Sequence, residues 1–249
     1  MSIVENSRIF VEKNVNNPST LASIMPLHLC NIMEVVKKCQ NFNSVLKKDS
    51  TPVTDLDLSL CGLINQIQKE KFPHHIYFSE EKNADWKYPM MVVDPVDGTK
   101  EFIKGSDEWV ISVALIENES FQGEGWIFQP KKKKVYDSGL SLKTSSDFVG
   151  EVSHTEWEEG LFRQIDLKLK PMGSIALKLA RLADRESAFV VSLKPKNIWD
   201  IAAGTILLKQ RGFEFYSQGK RVTEVKKEFQ PPLIWCAPED ASLLLKTFS

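Results

Sequence analysis

The segment richest in chemistry is Val92-Val93-Asp94-Pro95-Val96-Asp97-Gly98-Thr99-Lys100-Glu101-Phe102. An apolar run passes directly into two carboxylates three residues apart, with a rigid proline between them. Strand alternation stops at Pro95, so both aspartates can turn toward one point. Gly98 permits a tight turn or the close approach of a ligand. Thr99 adds a hydroxyl, and the residues after it can open a short helix whose backbone N–H groups suit an anion. Asp, Pro and Gly are also ordinary turn residues, and this segment by itself fits either reading.

Three other acidic stretches shift the balance. Ser79-Glu80-Glu81 follows the apolar Ile76–Phe78 and puts carboxylates at a strand end. Asp55 and Asp57 stand two apart after Pro52-Val53-Thr54. Trp199-Asp200 opens a run of Ile201, Ala202, Ala203 and Gly204. Each has a plain explanation as surface charge or as a helix-start acid complementing the dipole. One shared cluster explains all four, and an oxygen-rich cluster suits Mg²⁺ rather than zinc. Two similar motifs do not fit. Aspartyl-phosphate phosphatases of the haloacid dehalogenase type need D-x-D-x-T, whereas this spacing is D-x-x-D-G-T. An EF-hand loop needs D-x-[DN]-x-[DN]-G and a later Glu, which Asp94–Gly98 does not provide.

The surrounding elements read as a mixed α/β chain. Leu27, Ile32, Val35 and Val36 recur at helical spacing after Pro26. Thr54 or Asp55 caps a second helix carrying Leu58, Leu60, Leu63, Ile64 and Ile67. Strands are expected at Ile76–Ser79, Met90–Val93, Val110–Ile116 and Gly125–Phe128. The C-terminal half alternates helix and strand: Ser174–Ala183, Ala188–Ser192, Trp199–Arg211 stopped by Gly212, Phe213–Tyr216, Leu233–Cys236 and Ala241–Phe248. Sheets and helices mixed in this way predict stacked layers.

Composition sets the outer limits. The chain has 249 residues, 42% of them hydrophobic and 26% charged. That is enough for a core without disulfide or metal staples, and it excludes a largely disordered chain. Lys+Arg number 32 against 33 Asp+Glu, a net charge of −1. This gives no support for binding a nucleic-acid polymer. Lys131–Lys134 reads as a solvated turn between strands. Apolar runs are too short for a transmembrane segment, and the N-terminal stretch with Glu5 is not a secretory signal. Cys30, Cys39, Cys61 and Cys236 show no zinc spacing and read as thiols in a reducing cytoplasm. The scattered His28, His74, His75 and His154 argue against a histidine-based metal site.

The strand ending in Asp94–Thr99, with Ser79–Glu81 upstream and Trp199–Ala203 downstream, resembles the inositol monophosphatase superfamily. Its pattern is D-P-[IVL]-D-G-T, preceded by G/S-E-E and followed by W-D-x-A-G/A, and order and spacing agree from about Lys47 to Phe215. Lys100-Glu101-Phe102-Ile103, Pro52-Val53-Thr54, Gly173-Ser174 and Asn197-Ile198-Trp199-Asp200 resemble the CysQ-type 3′(2′),5′-bisphosphate nucleotidase branch. Two departures stand out. Thr54-Asp55-Leu56-Asp57 replaces T-x-A-D, which makes Asp57 the matching carboxylate. Leu182-Ala183-Asp184-Arg185 replaces V-A-E-G and loses the glycine. The stretch Glu117–Trp126 is also atypical.

The resemblance implies an α/β/α/β/α sandwich forming one catalytic unit over 1–249, with subdomains of about 1–140 and 141–249. It implies two or three Mg²⁺ ions held by Glu80, Asp94, the Val96 carbonyl, Asp97 and Asp200. Asp57 and Thr99 would activate water, with Glu80 also in the catalytic set, and no phosphoenzyme would form. Asp97, Gly98, Thr99, Asp200 and Glu80 would line the substrate site, and Lys47 or Lys48 would help close it. The implied reaction is hydrolysis of 3′-phosphoadenosine 5′-phosphate (PAP) to AMP and phosphate, in the cytoplasm, by a monomer or homodimer. Inositol 1-phosphate and fructose 1,6-bisphosphate are same-chemistry alternatives. A catalytically silent metal-binding scaffold and a structural Ca²⁺ site are alternatives of another class.

Overall fold

The computed structural model describes residues 20–39, 44–46, 52–82, 85–139 and 147–248. The chain begins with a helical turn α1 (Leu21–Ile24), a 3₁₀ turn Met25–His28 and helix α2 (Leu29–Lys38). Strands β1 (Ser44–Leu46) and β2 (Pro52–Thr54) pair antiparallel. Helix α3 (Asp55–Lys71) follows. Its residues Leu56, Leu60, Ile64 and Ile67 are buried at helical spacing against the first sheet, together with Leu21, Met25 and Ile32. Pro73 directly after the Phe72 cap prevents its continuation. Leu27 and Leu58, both expected on apolar faces, are instead exposed: Leu27 lies in the 3₁₀ turn, and Leu58 lies off the buried stripe.

The first sheet has five strands in the order β3 (Ile76–Ser79), β4 (Met90–Asp97), β5 (Val110–Ile116), β6 (Gly123–Gln129), β7 (Lys134–Tyr136). Between β4 and β5 lies the short helix α4 (Thr99–Ile103). Only β3 and β4 run parallel. Every residue of β4 is buried, because the sheet is covered on both faces. Alternation is strict: Met91 and Val93 pack toward α3, Met90 and Val92 toward the molecule's centre. His74 and His75 precede β3 in a turn rather than a strand.

The second sheet is built from β8 (Gly150–Ser153), β9 (Leu169–Met172), β10 (Phe189–Ser192), β12 (Glu214–Ser217), β13 (Lys220–Arg221) and β15 (Leu233–Cys236), in the order β13-β12-β15-β10-β8-β9. Its outer face is covered by α5 (His154–Glu158) and α8 (Ala241–Thr247), with Phe162 and Phe248 against Phe189 and Ile234. A separate pair is formed by β11 (Lys196–Asn197) and β14 (Glu228–Phe229).

Between the sheets lie α6 (Ile175–Ala183) and α7 (Ile198–Gln210). Both are buried around nearly their whole circumference, as helices sandwiched between two sheets must be. Small residues let them fit. A Cβ on Gly204 would meet the Leu179 Cβ at 2.4 Å, and one on Gly125 would meet the Ala203 carbonyl oxygen at 2.4 Å. The layers therefore run α/β/α/β/α, the sandwich expected from the sequence. Arg185, standing where the superfamily pattern has a glycine, adopts a left-handed φ of 55°, a conformation that costs a non-glycine residue roughly 1–2 kcal/mol.

Candidate metal centre

Strand β4 does not end at Val93, as its composition suggests, but continues through Pro95 to Asp97. Its pairing with β5 explains how both aspartates reach one face. Met90 lies opposite Ile116, Val92 opposite Ala114 and Asp94 opposite Ser112, but Asp97 lies opposite Val110. One extra residue therefore sits on β4 between Asp94 and Asp97. In an unbroken strand residues three apart face opposite sides. The bulge cancels that odd step and returns Asp97 to the face of Asp94. Pro95, which donates no ladder hydrogen bond, is tolerated at this bulge.

Gly98 follows in a left-handed conformation, φ 95°, and turns the chain into α4. A Cβ there would lie 3.0 Å from the Glu108 carbonyl oxygen and 3.2 Å from the Trp109 Cβ. Thr99 is the first residue of α4. Its Oγ1 donates to the Val96 carbonyl at 2.9 Å and lies 3.4 Å from Asp57 Oδ1. Asp57 is buried at the third position of α3. Its Oδ2 accepts the Thr54 N–H at 2.8 Å and the Thr54 hydroxyl at 2.5 Å. This reciprocal cap decides between the two candidates: Thr54, not Asp55, caps the helix.

The third acid comes from the other side of the molecule. Asp200 is the third residue of α7, and its Oδ2 accepts the Asn197 N–H at 2.8 Å. Asp94, Asp97 and Asp200 each offer an oxygen within 4.8 Å of the others. Glu80, just past β3, donates its N–H to the Val93 carbonyl at 3.3 Å and is the leading charge acting on Asp94. Lys47 and Lys48 lie outside the described residues.

Charge makes this arrangement costly without a cation. Burial, then Glu80, Asp97, Asp200 and Asp57, hold the Asp94 carboxyl well above the usual carboxylate range. Burial pushes Asp200 up to about 7, with Asp97 adding to it and Lys196 opposing. Asp97 is also raised by burial, but Ser174 Oγ donates to its Oδ2 at 2.5 Å, the Ala176 N–H at 2.6 Å, and Lys178 and Lys196 act from further away. Two full charges at that separation repel by roughly 3–4 kcal/mol at an effective dielectric near 20. Three such pairs approach the whole stability of a typical domain, about 5–15 kcal/mol. The all-oxygen donor set fits hard divalent cations, which relieve the repulsion.

The cleft beside the triplet is lined by Ser174, Lys178, Ser192 and Lys196 as well as Asp97 and Asp200. Lys178 is fully buried, donates to the Met172 and Gly173 carbonyls, and is pulled down to about 8 by burial. Sequence reasoning did not single out Lys178, Lys196 or Ser192 as cleft residues. The one signal is a lysine inside an otherwise apolar helix, Ile175–Ala183.

Residues 27–145 match the model of the Inositol monophosphatase family. The chain is similar to this family over that segment. A 3′(2′),5′-bisphosphate nucleotidase CysQ of Salmonella typhimurium is 27% identical over 224 residues, covering 79% of this chain and 89% of that protein. A Nus factor SuhB of Pasteurella multocida is 26% identical and covers 69% of this chain and 74% of its own length. Among solved structures, an IMPase/NADP phosphatase complexed with Mg²⁺ and phosphate superposes with a TM-score of 0.76 at 18% identity, covering 91% of this chain and 94% of that one. The Thermotoga maritima IMPase gives 0.73 at 21% identity, over 87% and 92%. These two likenesses show the fold. No helix among the described residues is long and apolar enough to cross a membrane.

Proposed function

We propose that this chain is a Mg²⁺-dependent phosphatase that removes the 3′-phosphate of PAP, giving AMP and phosphate. The observation that carries the chemistry is the convergence of Asp94, Asp97 and Asp200 within 4.8 Å through the β4 bulge. The substrate class rests on Lys100-Glu101-Phe102 after the D-G-T turn, and on the CysQ relative covering 79% of the chain.

In this reading Glu80, Asp94, Asp97, Asp200 and the Val96 carbonyl hold two or three Mg²⁺ ions. When bound, such ions supply Lewis-acid stabilisation and make water a better nucleophile at neutral pH. The chain's own residues do the rest. Asp57 Oδ2 is occupied by the Thr54 cap, which leaves Oδ1 toward Thr99. Thr99 Oγ1 turns its proton from the Val96 carbonyl to Asp57 Oδ1, orients the attacking water with its lone pair, and passes its own proton to Asp57 as it takes up one from the water. The Gly98 and Thr99 N–H groups face the phosphoryl oxygens as charge develops there. Lys178 and Lys196, on the cleft wall, set a positive border beside the triplet. One compact catalytic unit over 1–249 accommodates this scheme.

A phosphate-release panel tests it. Purified protein with Mg²⁺ releases phosphate from PAP faster than from inositol 1-phosphate or fructose 1,6-bisphosphate. Good turnover of inositol 1-phosphate with none of PAP overturns the substrate assignment. No release from any of the three overturns the enzyme reading in favour of a binding scaffold.

A further inference from the structure

A second group of potential ligands lies outside the carboxylate triplet. Glu101 on α4, Glu108 before β5 and His154 at the start of α5 each present a donor atom, and all three atoms lie within 4.8 Å of one another. His154 Nε2 and Glu108 Oε2 are 2.9 Å apart. The three side chains are largely enclosed, with relative exposures of 12% for Glu101, 25% for Glu108 and 35% for His154. Gly173 makes the enclosure possible: a Cβ on it would meet Glu101 Cγ at 2.5 Å. Its N–H donates to Glu108 Oε2 at 2.8 Å, which orients that carboxylate. Lys104, three residues along the helix, pairs with Glu101 at 3.1 Å but is itself 61% exposed, so it screens that carboxylate weakly.

Donors sharing one zinc-sized ion at about 2.0–2.2 Å stand roughly 3–3.5 Å apart. The 2.9 Å and sub-4.8 Å separations bracket that geometry. The donor types also differ from those of the triplet. Two carboxylates and an imidazole offer three ligands with room for a fourth, and the imidazole favours Zn²⁺, whereas an all-carboxylate cluster suits Mg²⁺. The three residues are far apart in the chain, 46 positions between Glu108 and His154, which is why spacing alone argues against a histidine site.

We propose that Glu101, Glu108 and His154 form a second divalent-metal site, selective for Zn²⁺ over Mg²⁺ and separate from the triplet. The ion takes the neutral imidazole of His154, so binding displaces any proton on Nε2 together with the His154–Glu108 hydrogen bond. The site touches the triplet's supports: the Glu108 carbonyl accepts the Ser174 N–H at 3.1 Å, and Ser174 holds Asp97. The proposal does not depend on which substrate is hydrolysed.

The test titrates Zn²⁺ into the full-length protein in excess Mg²⁺, counts bound zinc per chain by elemental analysis, and locates it by anomalous diffraction. The expected result is about one zinc per chain at Glu101–Glu108–His154. His154→Ala and Glu101→Gln each weaken zinc binding by at least about tenfold, and Asp200→Asn leaves it in place. If His154→Ala fails to fold by circular dichroism, Glu101→Gln, a substitution of nearly the same shape, decides alone. Zinc binding untouched by Glu101→Gln, or abolished by Asp200→Asn, overturns the site and leaves the His154–Glu108 contact as an ion pair only.

Discussion

Helices α3 and α7 begin with the same local device and do different things with it. Each has an aspartate at its third position whose Oδ2 reaches back to the cap residue's N–H at 2.8 Å: Asp57 to Thr54, Asp200 to Asn197. In both, a satisfied Oδ2 fixes the rotamer and leaves Oδ1 aimed away from the helix. What differs is the neighbour. At α3 the Oδ1 oxygen lies 3.4 Å from the Thr99 hydroxyl. At α7 it meets two further carboxylates, and burial with Asp97 lifts Asp200 to about 7. The same capping chemistry thus orients one acid toward a hydroxyl and the other toward the carboxylate cluster. The identity of the facing group, not the cap, sets the role.

This contrast can be broken most severely at α7. Asp200→Asn keeps the cap acceptor but removes a charge from the triplet. Phosphate release is expected to fall roughly a thousandfold or more, since metal stabilisation is worth several kcal/mol, while the chain stays folded. Asp97→Asn behaves alike. A tenth or more of wild-type turnover in either variant contradicts the assigned role. At α3 the expected loss is smaller: Asp57→Asn and Thr99→Ala each lower turnover about a hundredfold or more, the range of positioned acid–base groups. Making both changes together should cost little more than one, because the two act as a pair.

Titration sharpens the comparison without mutation. The folded chain holds the Asp200 proton up to about 7, whereas an unfolded aspartate releases it near 3.9. As pH rises between those values the unfolded state gains, so metal-free stability falls across that window and stays low above it. Mg²⁺ removes the penalty only where the acid is charged. The rise in melting temperature on adding Mg²⁺ is therefore larger at pH 8 than at pH 5.5, and an equal rise at both contradicts the linkage. Smallest of all, Thr54→Ala loses one side-chain bond of the α3 cap and is expected to cost about 1 kcal/mol in a denaturant titration.

Most of the layer order was legible because buried strands and helices carry continuous apolar runs: Ile76–Ser79, Val110–Ile116 and Leu233–Cys236 are the observed strands. The end of β4 was not, because Asp, Pro and Asp read as a turn, while a bulge accommodates them inside the ladder. Leu27 and Leu58 show the limit of spacing, since an apolar residue at the edge of a stripe need not face the core. The acids of the triplet were legible as separate stretches, each with a local explanation. Lys178 was hidden by its setting, since a lysine on a helix normally marks the solvent face, and this helix has none to speak of. The contact of His154 with Glu108 depends on how β5 and α5 are brought together, which no local pattern encodes.

The central claim is that the β4 bulge and the α7 cap together build a cation site. Crystals grown with Mn²⁺ in place of Mg²⁺ test it by anomalous diffraction at the manganese edge. The account predicts at least one peak about 2.0–2.2 Å from carboxylate oxygens of Asp94, Asp97 and Asp200. A fully occupied crystal with no anomalous peak at these three residues contradicts it.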